Sequence, residues 1–353
     1  MRLLSLLLCA TTLTASGQGS APPADFVQRA GQWMISPDPA KRQAAYRSWA
    51  QLGGGAMEAY EKALRTALKY HDQKIDKLAR GEGGKNPYEA HDVAYTELES
   101  ERERVMKLIR TDWQKDGKKV AMLRDEMESL MKLHAKTNKL AAADTQTFDT
   151  ALDAAVQGMC ETTRELERFE EEPDSAGLDD EELEEKLVSE HIHASHLVEL
   201  RGRLDKTRAA VAKLEATGKA NKDAGRWADG AMREFARILN EERDVCGLAP
   251  LLLEEKLSDA SKGHSADMAR LGFFAHESPV PGKKTPWDRA RLAGFAGNAS
   301  GENIYMGSAN PQNAYDGWFG SDGHRFIMFS SGPNVLGVGI SGVHWTMMTG
   351  SKN

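Results

Sequence analysis

Hydrophobic residues recur at steps of three and four through most of residues 25–237, and then the repeat stops. Met57, Tyr60, Leu64, Leu68, His71, Ile75 and Leu78 follow it, as do Leu123, Met127, Leu130 and His134, and again Phe148, Leu152, Ala155, Met159, Leu166 and Phe169. A period near 3.6 places such residues on one helix face, so each stripe is a seam for packing against another helix. Leu197, Leu200, Leu204, Thr207, Val211 and Leu214 alternate more like a heptad, which predicts a coiled-coil hairpin and a route to self-association. Breaks are expected at residues 81–87, 141–145 and 170–180 and near Gly218, giving five or six helices.

Beyond Cys246 the texture changes. Twelve of the 32 glycines lie from Gly294 to Gly350, and short alternating runs appear at residues 335–340 and 344–348, which is strand and turn composition. A helix ending near Cys246 and a second over about residues 252–271 open this part. The expected class is α+β: a mainly helical, partly coiled-coil region over residues 22–230, followed by a separate mixed domain over 233–350. A chain of 353 residues exceeds what one core usually organises.

The formal charge is −7, and from Arg233 onward the count is nearly even, 12 basic against 13 acidic side chains. The acidity therefore belongs to the helical region, and no surplus of basic residues exists to hold nucleic acid phosphates. Residues 1–17 have the order of a signal peptide: Arg2, an apolar run to Leu13, then Ala15, Ser16 and Gly17. Export to the periplasm or the exterior is expected, with no transmembrane span in the mature chain. Cys9 follows Leu8 rather than a small residue, so a lipid anchor is the lesser alternative. Cys160 and Cys246 remain, too few for a disulfide framework, although one bond between them is allowed.

The densest polar constellation is in the C-terminal part: His264, His276, Glu302, Ser321, Asp322 and His324. The imidazoles of His276 and His324 with the carboxylates of Glu302 and Asp322 suit a zinc-like divalent ion, and the same groups perform acid–base work. His264 falls on the apolar face of its helix and reads first as a hydrogen-bonded structural histidine. His191, His193 and His196 read as incidental to their helix. No Gly-x-Ser-x-Gly elbow accompanies the serines, which argues against a serine hydrolase. Phe274, Trp287 and Trp318 are expected in the core.

Several ordered motifs carry a resemblance. Leu239-Asn240-x-x-Arg243, Gly247-Leu248-x-Pro250-Leu251, His264-Ser265-x-Asp267-Met268, Phe274-x-His276-x-Ser278-Pro279, Thr285-Pro286-x-x-Arg289, Gly301-Glu302-Asn303-Ile304, Trp318-x-x-Ser321-x-Gly323-His324-Arg325 and Val335-x-Gly337-Val338-Gly339 together resemble the bacterial branch of the CAP superfamily. That superfamily groups the cysteine-rich secretory, antigen 5 and pathogenesis-related 1 proteins, also called SCP-like. The resemblance covers about the last third of the chain and implies an α-β-α sandwich with a surface cleft. It places three of the family's four cleft residues on His276, Glu302 and His324; where many relatives have a Glu three positions after the Trp, this chain has Ser321, and Asp322 is the neighbouring substitute. Asn303 and Arg325, with His264 and Ser321, are expected to support the cleft. Some relatives bind zinc and others sterols or lipids, so the implied partner is an envelope or extracellular ligand. Two function classes follow: a non-enzymatic binding module whose cleft takes a divalent metal, or a metal-dependent hydrolase with Glu302 as base.

Overall fold

A computed structural model of the chain describes residues 33–34, 36, 38–50, 54–82, 85–113, 116–170 and 180–353; the signal-peptide segment lies outside the described residues. The helices are α1 (Pro39–Ala50), α2 (Gly54–Ala79), α3 (Pro87–Ile109), α4 (Gly117–Ala141), α5 (Gln146–Glu170), α6 (Asp180–Glu190), α7 (Ile192–Lys222) and α8 (Gly230–Val245). Then come β1 (Leu252–Leu253), α9 (Glu255–Leu271), α10 (Pro286–Leu292), β2 (Asn298–Met306), α11 (Pro311–Phe319), α12 (Asp322–Met328), β3 (Val335–Ser341) and β4 (His344–Ser351). The breaks expected at residues 81–87 and 141–145 are present, whereas α7 runs through Gly218 to Lys222. The chain divides into two compact units, one of residues 1–90 and 143–202, the other of residues 91–142 and 203–353.

In the first unit the stripes of α2 and α5 pack on each other, and Trp49, Tyr60, Leu64 and Leu166 form a core with Met34 and Ala45. The two helices approach closely at Gly158, where any Cβ would overlap the His71 ring. Arg42 is buried and paired with two glutamates of α5, Glu161 at 2.5 Å and Glu165 at 2.9 Å. His191 and His193 lie 3.2 Å from Asp72 and Asp76, so these histidines are surface partners of α2.

The second unit joins α3, α4 and the latter part of α7 to the whole C-terminal domain. The texture change at residues 230–233 is therefore not where the spatial grouping divides. Local periodicity reports the kind of element, whereas grouping depends on which seams meet. Leu98, Val105 and Ile109 of α3 and Leu123, Met127 and Leu130 of α4 share one core with Phe235, Leu239, Trp318, Leu336, Val338 and Trp345. Arg124 of α4 lies 4.0 Å from the Phe319 ring and 2.6 Å from Asp316, which stacks and pairs α4 on α11.

The sheet has the order β1-β3-β4-β2, with β1 parallel to β3 and the other pairs antiparallel. Alternation along the strands separates two layers. Leu336 and Val338 of β3 and Trp345 and Met347 of β4 join the core under α8 and α11, while Val335 and Met348 pack with Leu257, Ala290 and Phe295 under α9 and α10. Gly337 and Gly339 face α9 so closely that a Cβ at either would overlap the backbone of Leu257 or Lys262. Helix α9 starts on the Glu254 carboxylate and stops at Gly272 in the left-handed region (φ 69°), and α10 opens with a Thr285–Asp288 capping box. Trp318 is in the core as expected, but Trp287 is 58% and Phe274 47% exposed. Helix α10 is a short helix whose buried positions are Arg289 and Ala290, which leaves Trp287 outward with its N–H donated to Ala299 O; Phe274 belongs to the loop after α9. Cys160 and Cys246 are both buried free thiols, one in each unit.

Burial lowers the pKa of His71, with Lys74 adding to the effect, and burial also lowers His91 and His264. Each takes up a proton on unfolding that it does not hold when folded, so stability rises with pH up to about 6.5 and is lost below it. Thermal melts at pH 7.5 and pH 5.5 should show a lower midpoint in acid, and His71→Leu should narrow that difference. An unchanged difference would remove His71 from the account.

Candidate functional site

Glu302 and Asn303 are neighbours on β2 and face opposite layers of the sandwich. In register Glu302 lies opposite Met348 and Asn303 opposite Met347, the two β4 residues assigned to the two cores. Glu302 meets the loop before α10, where His276 Nδ1 is 2.9 Å from Oε1. Asn303 meets α12, donating from Nδ2 to His324 O at 3.0 Å. The two histidines thus come from opposite helical layers, and their ring centroids lie 6.5 Å apart at β2, the outer strand of the sheet.

The carboxylate of Glu302 is fully engaged. Its second oxygen accepts from Arg289 Nη2 at 2.5 Å, and both side chains are almost wholly buried. Arg289 Nη1 also donates to His276 O, Lys283 O and Lys284 O, so one guanidinium fixes both the glutamate and the loop that carries His276. An ionised carboxylate only accepts, so Nδ1 of His276 is the protonated nitrogen and Nε2 carries the lone pair. The ring is half exposed. His264 supports the same loop: its Nε2 meets Ala275 O at 3.0 Å and its ring is fully buried.

Asp322 does not join this group. Its Oδ2 accepts from Trp113 N at 3.1 Å and its Oδ1 from Arg325 Nη2 at 2.5 Å. Arg325 also donates to Ile109 O, Thr111 O and Phe319 O, and sits 5.2 Å from the Trp113 ring. This pair ties α12 to the end of α3, so Asp322 acts as a structural anchor. Ser321 occupies the N-cap of α12 without a side-chain capping bond. Of the expected cleft residues the structure brings together His276, Glu302 and His324, with His264 and Asn303 behind them. It adds Arg289, present in the sequence only as part of the Thr285-Pro286-x-x-Arg289 motif; the capping box there marks the start of its helix but not what the helix packs against.

Two imidazoles suit a zinc-like ion in kind, and a histidine held through its other nitrogen by a carboxylate is the usual arrangement of a metal-bound ring. Zinc–nitrogen bonds of about 2.0–2.1 Å place two ligand ring centroids about 5–6 Å apart. The observed separation is wider, so the half-exposed His276 ring would have to close by roughly 1 Å. Among the described residues no three His, Cys, Asp or Glu side chains are grouped to hold a metal ion.

Comparison with known proteins bears on residues 236–344, which match the family model described as CAP: Cysteine-rich secretory protein family. Uncharacterized protein YkwD of Bacillus subtilis is 34% identical over 116 residues, 32% of this chain and 44% of that protein. Uncharacterized membrane protein YlbC of the same organism is 32% identical over 114 residues, 32% of each chain. The match spans less than half the length of either relative. Among solved structures, an extracellular protein containing a SCP domain from Bacillus anthracis is 29% identical with a TM-score of 0.34, covering 35% of this chain and 41% of that one.

Proposed function

We propose that the CAP domain formed by residues 236–344 is a binding module of an exported protein, and that its cleft takes up ligand through His276 and His324. The observation that carries this reading is the full engagement of Glu302 by His276 and Arg289. A carboxylate that is almost wholly buried, with one oxygen on a buried guanidinium and the other on His276, is placed to orient its histidine rather than to take a proton from water. The secretory character of the matched family supports export, and no helix among the described residues is long and apolar enough to cross a membrane. A divalent cation of the zinc type is the ligand that two converging imidazoles would hold, with water completing its shell and Asp322 outside it.

The alternative is a metal-dependent hydrolase with the same side chains. Zinc-saturated protein is expected to hydrolyse p-nitrophenyl acetate and bis(p-nitrophenyl) phosphate no faster than zinc in buffer. Turnover above that level, abolished by His276→Ala, would overturn the binding reading.

A further inference from the structure

A second site lies away from the cleft, within the unit of residues 91–142 and 203–353. An open-mouthed pocket of about 340 Å³ is lined by α3 (Tyr95, Leu98, Arg102), α4 (His134), α7 and the turn after α8 (Leu248, Pro250). That is within the range of small-molecule pockets, about 300–1,000 Å³.

Its walls are chemically divided. One side carries charged and polar groups of both signs: His134 Nε2 lies 3.0 Å from Asp244 Oδ2, a buried oxygen that accepts no hydrogen bond among the described residues, and Arg102 donates to Val245 O and Asp244 O and pairs with Glu99. These contacts join α3 and α4 to the carboxyl end of α8. Gly247 belongs to this frame. It turns at φ 74°, and a Cβ there would press on the Arg102 side chain at 3.3 Å. Leu98, Leu248 and Pro250 with the Tyr95 ring give the interior an apolar share.

Helix α7 supplies the remaining wall. Lys206, Ala210 and Lys213 are spaced i, i+4 and i+7, one face of a helix. Both lysines are exposed, and neither makes an ion pair among the described residues, in contrast to Arg102. The surrounding stretch, residues 203–222, carries six basic and two acidic residues in a chain whose net charge is −7. An otherwise acidic protein therefore lines one cavity with Lys206, Lys213 and Arg102 against the two carboxylates of Glu99 and Asp244, and of the three cations only the two lysines make no ion pair among the described residues.

We infer that this cavity binds a small amphipathic anion, a carboxylate or similar acid on an aromatic or aliphatic body, with the acid group at Lys206 and Lys213 and the body among Tyr95, Leu98, Leu248 and Pro250. The ammonium groups discriminate by charge, and the cavity limits the size of the body.

Calorimetric titration of the full chain at low salt with 2-naphthoate, and with its neutral isostere 2-naphthamide, tests this. Naphthoate should bind one site per chain at least tenfold more tightly than the amide. Lys206→Ala with Lys213→Ala should remove that preference, and Ala210→Phe, an exposed helical position whose new ring would enter the cavity, should abolish naphthoate binding. Circular dichroism of each variant should match the parent, since all three positions are exposed, and His276→Ala with His324→Ala should leave naphthoate binding unchanged. No saturable naphthoate binding, equal affinity for the amide, or binding that survives either cavity variant would overturn the assignment.

Discussion

Replacing Arg243 by Met should destabilise the CAP-bearing unit by roughly 3–5 kcal/mol. The side chain is fully buried, and burial pulls its pKa down to about 10. It has no carboxylate partner among its hydrogen bonds: Nε and Nη2 donate to Ala249 O, and Nη1 donates to Met328 O and Ser330 O. One guanidinium thus satisfies three carbonyls, one in the turn after α8 and two at and just beyond the end of α12. The neutral substitution relieves the cost of burying a charge but strands those carbonyls, each worth about 1–3 kcal/mol when left without a donor. Native-state hydrogen exchange of the β3 and β4 amides reads the loss for this unit directly. A change below about 1 kcal/mol would mean that water replaces the guanidinium and that the loops hold without it.

Arg325→Met is expected to cost a similar amount, about 3–5 kcal/mol, for a different reason. It strands Ile109 O, Thr111 O and Phe319 O, and leaves the buried Asp322 carboxylate with the Trp113 amide but without its cation. Because those partners belong to two regions of the chain, exchange protection should fall together over residues 106–113 and 322–329. Loss confined to residues 322–329 would show that the end of α3 is held by its apolar contacts alone.

The behaviour of Asp322 illustrates where sequence reading reaches its limit. Its position beside His324 is a local fact, and from it a place in the cleft is a fair expectation. Its partner is the backbone amide of Trp113, 209 residues earlier, and no pattern around either residue announces that meeting. The helical seams were legible because burial repeats with the period of the helix: Tyr60, Leu64, Ile75, Leu123, Met127, Leu130, Leu152 and Met159 are all buried. Which seams meet was not legible, since any apolar stripe can accept another; hence α3, α4 and part of α7 group with the C-terminal domain. Strand β2 escaped notice because its first six residues, Asn298 to Asn303, have poor strand propensity and include a bulge near Ser300. The glycines of β3 were visible as a motif, but their reason, the close backbone of α9, is tertiary. Arg289 was hidden in the same way: its buried guanidinium organises Glu302 and the His276 loop through contacts that appear only once β2 and α10 are side by side.

The proposed binding function rests on His276 and His324 acting as a ligand-binding pair. Calorimetric titration of the metal-free protein with zinc, at pH 7.5 and again at pH 5.0, tests it most directly. One saturable site is expected at the higher pH, weakened at the lower because protons compete for the imidazole lone pairs, and lost in the His276→Ala/His324→Ala variant. Absence of binding at pH 7.5, or binding that persists in the double variant, would contradict the account and leave the two rings as braces at the edge of the sandwich.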